Sequence, residues 1–505
     1  MGAKYTQDVE FNSDFGALQT PVHICTAAML CGYNGVNING SFRYLDIACG
    51  NGHTLSILAD AYPQAEFVGI DINPAHIAKA SELARQAGLT NVQFIEGDIA
   101  KLAPSGFQPF DICTVSGVYS WLDAQRQAQL LDAAEQLVRP GGLFYLDYSA
   151  MPGGAQTAPL YQIIQKLSGQ FAGNSADKLT GASHLLSAIR DGGGQFFEQN
   201  EQANQRLSSI LANPAEDEAH EVLNMQPHGL WSADVISSLA EKGFSFLGSA
   251  GLQHNLPELS AHLPKPKTAT ELSITSQQLL QDVAWNVAQR KDIYLKGEHA
   301  DSTPLIARLQ NYGFYIAPGA LDDQNVAFVL KQFPRANLIT RTHISQLNKG
   351  RDCQTFAELT KHFHALGLTD DTINRLFSQL LATRIVSLAQ PLQKTDKQGS
   401  ALSMPSALNR LMLEQDIHLE HGRPFASSTI GSRLLLPIKD RLYLWALVIG
   451  DVGSAWEKLG DLRNAFHGPN GQPLNKGEFV NIIQQSLPAF KAKVVPELVR
   501  LGILR

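Results

Sequence analysis

Hydrophobic and polar positions in the first part of the chain predict a strand, a glycine turn, a helix and a second strand. Residues 44–47 form a short apolar run typical of a buried parallel strand, and residues 54–61 carry leucine and isoleucine at helical spacing. Gly50 and Gly52 lie between them, so the backbone of the turn opens onto the N-terminus of the helix. The second strand ends at Asp71, at the spacing expected for an acid that binds the two hydroxyls of a ribose.

Strands and helices continue to alternate as far as residue 147. Further strands are predicted at residues 92–95, 110–115 and 143–147, with helices at residues 74–86 and about 123–138. Because strands that alternate with helices form parallel sheets with right-handed crossovers, we predict a parallel sheet. Asp98 and Ile99 follow its third strand, where an acid can accept from an exocyclic amine and Ile99 can pack on a purine.

The chain changes character after residue 155. Residues 156–223 are rich in glutamine, alanine and leucine at helical spacing, and they predict a helical insertion that serves as a lid or a dimer surface. Strands are predicted again at residues 244–247 and 292–295, which brings the sheet to seven strands and predicts an α/β, Rossmann-like fold. The predicted divisions are a cap and nucleotide-binding domain at 1–155, the insertion at 156–223, the rest of the sheet at 224–300, a winged-helix-like middle domain at 301–400 and a helical C-terminal domain at 401–505.

The glycine pattern limits the kinds of nucleotide that the turn can bind. A dinucleotide site expects a third glycine that closes the helix onto the strand, and none follows Gly52 here. Asp46, just before the turn, disfavours a pyrophosphate and suits a cationic ligand with an amino group. An adenosine that carries a sulfonium and an amino acid fits these residues. The alternative is a strand, turn and helix with a structural role only.

Composition excludes several classes of protein. The chain has 505 residues, more than one hydrophobic core usually serves, so about two to four domains are expected. A net charge of −7 offers no general attraction to nucleic acid, and no nucleic-acid partner is predicted. The five cysteines are scattered, and the pair His362 and His364 is expected on a helix surface, so no disulfide framework and no metal site are predicted. The sequence shows no signal peptide and no apolar membrane span, which predicts a cytoplasmic protein.

Several motifs in a fixed order resemble a known family. DIACGNG at 46–52, Asp71, Asp98 and RPGG at 139–142 resemble the motifs of class I S-adenosylmethionine-dependent methyltransferases across residues 43–148. More narrowly, SGVYSWL at 116–122, YSAMPG at 148–153 and AHEVL at 219–223 resemble the bacterial methyltransferases with a regulatory domain, whose best-described members are rickettsial protein lysine methyltransferases. The chain departs from the usual family motifs at Ser116, Ser149, Met151 and Gly154, and these departures concern the acceptor rather than the cofactor.

The resemblance implies a binding site for S-adenosylmethionine. It implies that the glycine turn surrounds the methionine part, that Asp71 holds the ribose, that Asp98 and Ile99 hold the adenine, and that the residues after the fourth strand lie beneath the sulfonium. The implied cofactor-binding residues are Asp46, Ala48, Cys49, Gly50, Asn51, Gly52, Asp71, Ile72, Asp98, Ile99, Ser116 and Gly117. These positions cluster at the carboxyl ends of predicted parallel strands, where ligands of such sheets bind.

Methyl transfer is an in-line displacement in which the protein contributes mainly orientation and electrostatics. A lysine acceptor must lose its proton and be aimed along the S–CH₃ axis, which aromatic faces and a tyrosine hydroxyl can assist. The candidate catalytic residues are Tyr119, Trp121 and Tyr148. The alternative for Tyr119 and Trp121 is that they pack beneath the next helix.

Three functions are consistent with these residues. The first is a protein methyltransferase that acts on lysine side chains, because several non-catalytic segments accompany one small catalytic core. The second is a methyltransferase of a small molecule or a peptide natural product, with the extra segments as dimer surface and lid. The third is a cofactor-binding regulator with weak transfer activity. The resemblance also favours a homodimer. Residues 1–42 are expected either to cap the site, with Tyr5 near it, or to pack as a helix on the edge of the sheet.

Overall fold

A sheet of seven strands lies at the centre of the molecule. The structure is a computed structural model that describes residues 6, 8–9, 15–98, 106–224, 229–256, 259, 272–298, 303–350, 355–391, 402–419, 424–468 and 471–505. The strands of the sheet are β1 (Arg43–Ile47), β2 (Glu66–Asp71), β3 (Val92–Glu96), β4 (Phe110–Val115), β5 (Val138–Ser149), β6 (Phe244–Ser249) and β7 (Gln289–Lys296). Two residues predicted near the active site, Tyr5 and Ile99, lie outside the described residues.

The strand order is β3-β2-β1-β4-β5-β7-β6. The first five strands are parallel, which confirms the prediction, and β7 runs antiparallel between β5 and β6. β1 lies at the centre of the sheet, and β2 and β3 follow it outward to one edge. The chain then crosses back to β4, on the other side of β1. The order of the strands therefore reverses between β1 and β4, and ligands of open α/β sheets bind at such a reversal.

The helices that precede the insertion flank this sheet. They are α1 (Pro21–Leu30), α2 (His53–Ala61), α3 (Pro74–Gln86) and α4 (Ala124–Leu137). Asn73 caps α3 by accepting from the Ala75 N–H at 3.0 Å. β5 begins at Val138, five residues earlier than the sequence predicts, because Val138 pairs with Phe110 across an irregularity in the β4–β5 register.

The predicted insertion is helical, with its own hydrophobic core. It contains α5 (Ala158–Ser168), α6 (Ser175–Asp191), α7 (Gln195–Gln199), α8 (Glu201–Ala212) and α9 (Ala215–Asn224). Its core comprises residues such as Leu160, Ile164 and Leu207. The N-terminal segment docks here, because Val9 joins this core and the Asp8 carboxylate accepts from the Ser175 hydroxyl at 2.6 Å.

The chain returns to the sheet through α10 (Ser232–Glu241) and α11 (Ile274–Trp285), which precede β6 and β7. Arg290 of β7 is buried and joins α11 to its own strand. Its guanidinium donates to Asp282 of α11 at 2.6 Å and to Asp292 at 2.9 Å. The last two strands are therefore fixed to the rest of the fold by a buried ion-pair network as well as by their ladders.

The rest of the chain is mainly helical and packs against the helices α1 and α2 that flank the sheet. Its helices are α12 (Leu305–Leu309), α13 (Asp323–Gln332), α14 (Arg341–Lys349), α15 (Phe356–Ala365), α16 (Asp370–Ala382), α17 (Ala407–Asp416), α18 (Ile438–Val448), α19 (Val452–Lys458), α20 (Lys476–Lys493) and α21 (Val495–Arg500). Two short pairs of strands accompany them, β8 (Gly313–Tyr315) with β9 (Ser387–Ala389) and β10 (Phe425–Ser427) with β11 (Ser432–Leu434). One hydrophobic core runs from Phe42 and Tyr62 beside the sheet to Phe314 and Phe356. The predicted domain divisions stay a prediction, and in the described ranges no helix is long and apolar enough to cross a membrane.

Candidate active site

The turn between β1 and α2 has a backbone that only small residues can adopt. Gly50 and Gly52 have φ of +56° and +70°. A Cβ at Gly52 would lie 2.5 Å from the Cβ of Ala80 and 2.6 Å from the ring of Phe94. Ala48 also has a positive φ, of +64°. The turn therefore brings the backbone close to α3 and β3 and leaves no room for a side chain at Gly52.

The Asp71 carboxylate holds this turn in place. It is buried, and it accepts from the Gly50 N–H at 2.9 Å and from the Asn73 N–H at 2.8 Å. The Nδ1 atom of His76 lies 3.3 Å from its second oxygen. The residue predicted to bind the ribose thus also sets the shape of the loop that would surround the methionine part.

Two adjoining cavities open at this edge of the sheet. The larger, of about 910 Å³, reaches from the glycine turn past the ends of β4 and β5 to the helices of the insertion. The smaller, of about 100 Å³, meets it at Asp71. The smaller cavity is lined mainly by apolar side chains and also by Asp98, and its lining includes Ile47, Ile70, Ile72, Val118, Leu122 and Leu130. A flat apolar slot with one acid suits a purine ring and its amine.

Buried polar atoms in the larger cavity fit a polar ligand. The Nε2 atom of His76 and the Oε1 atom of Gln19 are buried and have no hydrogen-bond partner within the described part of the chain. Both residues line the cavity. Because an unpaired buried polar group costs about 1–3 kcal/mol, such atoms are expected to meet hydrogen-bonding groups of a ligand. A ribose and an amino acid supply such groups.

Asp46 is set to meet a cation. It is 4% exposed, and its carboxylate accepts from the Thr114 hydroxyl at 2.8 Å. Burial raises the pKa of Asp46 to about 7, the Thr114 bond opposes this shift, and the charge of Asp71 adds to it. A ligand ammonium next to Asp46 would therefore be paired with a carboxylate that otherwise retains its proton near neutral pH.

The structure brings most of the predicted cofactor residues together. Seven of them line the larger cavity: Asp46, Ala48, Cys49, Gly50, Asp71, Ser116 and Gly117. Ile72 and Asp98 line the smaller one. Asn51 and Gly52 lie in the turn itself, at the start of α2. Ile99 lies outside the described residues. The assignment of these residues to the cofactor stays a prediction.

The three predicted catalytic residues differ in their access to the cavities. Trp121 lines both cavities. Tyr148 also lines the larger one, but its side chain is buried and its hydroxyl donates to Asp292 at 2.8 Å. Tyr119 is 3% exposed and packs against the Tyr148 ring, with ring centroids 6.4 Å apart. Trp121 is therefore the member of this set best placed to face an acceptor.

Sequence reasoning missed several residues that line the larger cavity. Gln19 comes from the segment before α1, His76 from α3 and Asp147 from β5, and Tyr161, Arg206 and Glu221 come from the insertion. For Asp147 a signal existed, since it is an acid at the carboxyl end of a predicted parallel strand, where ligands of such sheets bind. For the residues of the insertion there was none, because only the fold brings these helices to the edge of the sheet.

Carboxylates dominate the charge of this cavity. Its described lining contains the carboxyl groups of Asp46, Asp71, Asp147, Asp217, Glu218 and Glu221 and one guanidinium, that of Arg206. Arg206 is already engaged, because it donates to both oxygens of Glu218 at 3.0 and 2.5 Å and to the Tyr161 hydroxyl at 2.7 Å. The cavity therefore favours a cationic ligand over an anionic one.

Comparisons with known proteins agree with this geometry. A family model described as a methyltransferase domain matches residues 38–204, and one described as a predicted methyltransferase regulatory domain matches residues 219–296. The second match covers most of α9, all of α10 and α11, and both β6 and β7, so it overlaps the last two strands of the sheet.

Similar proteins extend the likeness over nearly the whole chain. The structure of PKMT2 from Rickettsia typhi in complex with AdoHcy is 17% identical and has a TM-score of 0.66, over 95% of this chain and 98% of that one. An uncharacterized protein of Synechocystis sp. is 23% identical over 88% of this chain and 87% of its own length. A trans-aconitate 2-methyltransferase of Methylobacterium nodulans is 28% identical over 25% of this chain and 45% of its own length.

The fold, the family models and the site define an S-adenosylmethionine-dependent methyltransferase. The chain combines a methyltransferase domain with a methyltransferase regulatory domain on the fold that it shares with PKMT2 from Rickettsia typhi. These findings confirm the enzyme class, the cofactor and the fold that the sequence motifs predict.

Proposed function

We propose that this enzyme transfers methyl groups to lysine side chains of a protein substrate. The observation that carries the proposal is the excess of carboxylates in the larger cavity, where six carboxyl groups meet one guanidinium among the described lining residues. A lysine ammonium is attracted into such a site, whereas the carboxylates of an acid such as trans-aconitate are repelled. The sequence resemblance to rickettsial protein lysine methyltransferases supports the same acceptor.

The residues of the chain fit the separate tasks of this reaction. S-adenosylmethionine supplies an activated methyl group when it is bound. Asp71 and the glycine turn would hold its nucleoside and methionine parts, and Asp46 would face its ammonium. Trp121 offers an aromatic face to a cationic acceptor. The hydroxyl of Tyr148 is occupied by Asp292, so we propose that Tyr148 positions the strand end rather than touching the acceptor.

The acceptor can be tested with a labelled methyl group. Purified protein and S-adenosylmethionine with a deuterated methyl group are added to extracts of cells that lack the gene, and tryptic peptides are analysed by mass spectrometry. We expect deuterated methyl groups on lysine peptides, and we expect none after the extract has been acetylated, because acetylation removes the nucleophile and its charge.

A control variant tests whether the transfer depends on the predicted cofactor site. Asp71→Ala is expected to lose cofactor binding in calorimetry and methyl transfer together, because it removes both the ribose acceptor and the anchor of the Gly50 N–H. If the label enters only small molecules, the proposal of a protein substrate is wrong. Cofactor binding by the wild type without any transfer would instead support a regulator. The predicted homodimer stays a prediction.

A further inference from the structure

The functional residues form a row along the carboxyl edge of the sheet. Asp71 ends β2, the glycine turn follows β1, Ser116 follows β4, and Asp147 lies near the end of β5. Val115 pairs with Leu146, so Ser116 and Asp147 lie side by side. Neighbouring strands are about 4.8 Å apart. If Ser116 lies beneath the sulfonium, as the resemblance implies, Asp147 lies one strand beyond it, on the side away from the ribose.

The Asp147 carboxylate is buried, faces the larger cavity and retains capacity for a donor. It is 7% exposed, and it accepts from the Ser116 hydroxyl and from the Gly117 N–H, both at 3.2 Å. Gln289, which also lines the cavity, bonds to it as well. Charge-assisted bonds to a carboxylate are usually about 2.7–2.9 Å long, so these two longer bonds are weak. A carboxylate has roughly four acceptor positions, and a cation entering the cavity can use one.

Two of the other carboxylates of the cavity, Asp71 and Glu218, have stronger partners of their own. Asp71 accepts from two backbone N–H groups at 2.9 and 2.8 Å. Glu218 is paired with Arg206, whose Nη2 atom also lies 3.5 Å from Glu221. Asp46 lies at the end of β1, next to the glycine turn, where it suits the ammonium of the methionine part. Asp217 and Glu221 belong to α9 of the insertion, whereas Asp147 lies near the end of β5, beside Ser116. Asp147 is therefore the acid best placed to meet an acceptor next to the sulfonium.

Resting on the proposed function, we propose that the Asp147 carboxylate binds the ammonium of the acceptor lysine and takes its proton before methyl transfer. The proton moves from the lysine nitrogen to a carboxylate oxygen, which leaves a neutral amine. The nitrogen lone pair then forms a bond to the methyl carbon while the methyl–sulfur bond breaks, and that electron pair stays on sulfur. The proton on Asp147 passes to solvent through the open cavity.

The charged surroundings of Asp147 suit this role. Burial raises the pKa of Asp147, while the Gly117 N–H, the Lys291 ammonium, the Ser116 hydroxyl and Gln289 oppose this shift. Two titratable side chains face the Asp147 carboxylate: Lys291 from β7 and Tyr145 from its own strand, β5. The charge of Asp46 on β1 in turn influences Tyr145. A carboxylate with a raised pKa is a better proton acceptor than an exposed one.

The test compares Asp147→Asn with the wild type and with Asp191→Asn. Asp191 lies at the end of α6 with 65% of its side chain exposed, so it is a matched control outside the cavity. We expect Asp147→Asn to bind S-adenosylmethionine within about twofold of the wild type in calorimetry. We expect its rate of methyl transfer to a lysine protein in a single turnover to fall about 10²–10⁴-fold, the usual contribution of a proton-transfer group.

Two further measurements distinguish proton transfer from a structural role. With S-adenosylhomocysteine bound, the lysine substrate should bind at least about tenfold more weakly to Asp147→Asn, because a charged partner is lost. With aminoethylcysteine in place of the target lysine, the rate defect of Asp147→Asn should shrink, because that amine loses its proton more readily. A distorted site would slow both acceptors equally. If Asp147→Asn fails to bind the cofactor, Asp147→Ser replaces it, since serine is a smaller polar residue that also lacks the carboxylate.

The outcomes separate this proposal from the one on which it rests. If the wild type methylates lysine and Asp147→Asn does so at an equal rate, Asp147 is not the proton acceptor and the protein-lysine function stands. An equal defect on both acceptor amines likewise overturns the proton-transfer role. If the wild type transfers no methyl group to lysine, the proposed function fails, and the role of Asp147 fails with it.

Discussion

At the scale of single residues, the carboxylates of the site differ in the hydrogen-bond donors that the protein provides for them. Asp71 accepts from two backbone N–H groups and serves as a structural anchor for the glycine turn. Asp46, 4% exposed, has one strong bond, from Thr114 at 2.8 Å. Residues of one type therefore take different roles because their burial and their donors differ, which sequence patterns alone do not show.

The ionisation of Asp46 should make cofactor binding depend on pH. Since burial raises the pKa of Asp46 to about 7, the free protein holds a proton there below that pH. Pairing with the ammonium of S-adenosylmethionine requires the carboxylate, so binding at lower pH must release the proton. We expect the dissociation constant to fall as the pH rises from 6 to 8, by up to about tenfold per unit below the pKa.

Calorimetry at several pH values, in buffers of different ionisation enthalpy, measures both the affinity and the released proton. Asp46→Asn should bind more weakly and lose most of this pH dependence, because an amide does not titrate. An affinity of the wild type that stays constant between pH 6 and 8 would contradict the raised pKa. Proton release that persists in Asp46→Asn would assign the titration to another group.

At the scale of elements, α11 and β7 are joined by a buried network centred on Arg290. The guanidinium donates to Asp282 and Asp292, and Asp292 also accepts from the hydroxyls of Tyr148 and Tyr294 at 2.8 and 3.2 Å. Asp282 and Asp292 are both about fully buried. The network joins β7, which lies in the range matched by the regulatory-domain model, to β5, the strand that carries Asp147. We therefore expect its loss to disturb the active site as well.

Replacing Arg290 should destabilise the fold strongly. Arg290→Met leaves two buried carboxylates without their cation, and breaking a buried pair in this way typically costs about 3–5 kcal/mol. The matched control is Arg410→Met, because Arg410 forms an exposed i,i+4 pair with Glu414, and such pairs contribute about 0.3–0.5 kcal/mol. Urea unfolding at fixed pH measures the two free energies of unfolding. Equal losses in the two variants would contradict the role given to the buried network.

At the scale of the whole molecule, the C-terminal part is packed onto the helices α1 and α2 that flank the sheet. The hydrophobic core beside the sheet continues to Phe314 and Phe356. β10 packs against α2, and the turn between β10 and β11 brings Gly431 against the hydroxyl of the fully buried Tyr62, at the end of α2. The N-terminus of α2 faces the cavity, and its other end thus packs against residues that are far away in sequence.

This contact can be tested with a pair of glycines. Gly431 and Gly460 have nearly equal φ of +57° and +55°, so alanine has the same backbone cost at both. A Cβ at Gly431 would overlap the Tyr62 hydroxyl, whereas one at Gly460 meets open space. We expect Gly431→Ala to lower the free energy of unfolding by about 1–3 kcal/mol more than Gly460→Ala, the usual cost of overpacking. Thermal or urea unfolding measures the difference. Equal losses would mean that the Tyr62 side chain moves aside at no cost, which would contradict a tight contact.

The sequence determined the part of this protein that local patterns encode. Apolar runs, helical spacing and the glycine turn predicted the five parallel strands, and the acids at residues 46, 71 and 98 predicted a nucleoside with a sulfonium, because strand ends and turns have local signatures. The position of β7 between β5 and β6 could not be predicted in this way, since strand pairing between distant segments depends on tertiary packing.

The acceptor side of the cavity was decided by tertiary structure alone. Gln19, Tyr161 and Arg206 come from segments that are remote in sequence, and only the folded chain brings them to one cavity. The roles of the aromatic residues were decided in the same way, because the partner of the Tyr148 hydroxyl, Asp292, lies 144 residues away. Local sequence encodes how a strand ends, whereas burial and partners, which set pKa and access, arise from the packing of the whole chain.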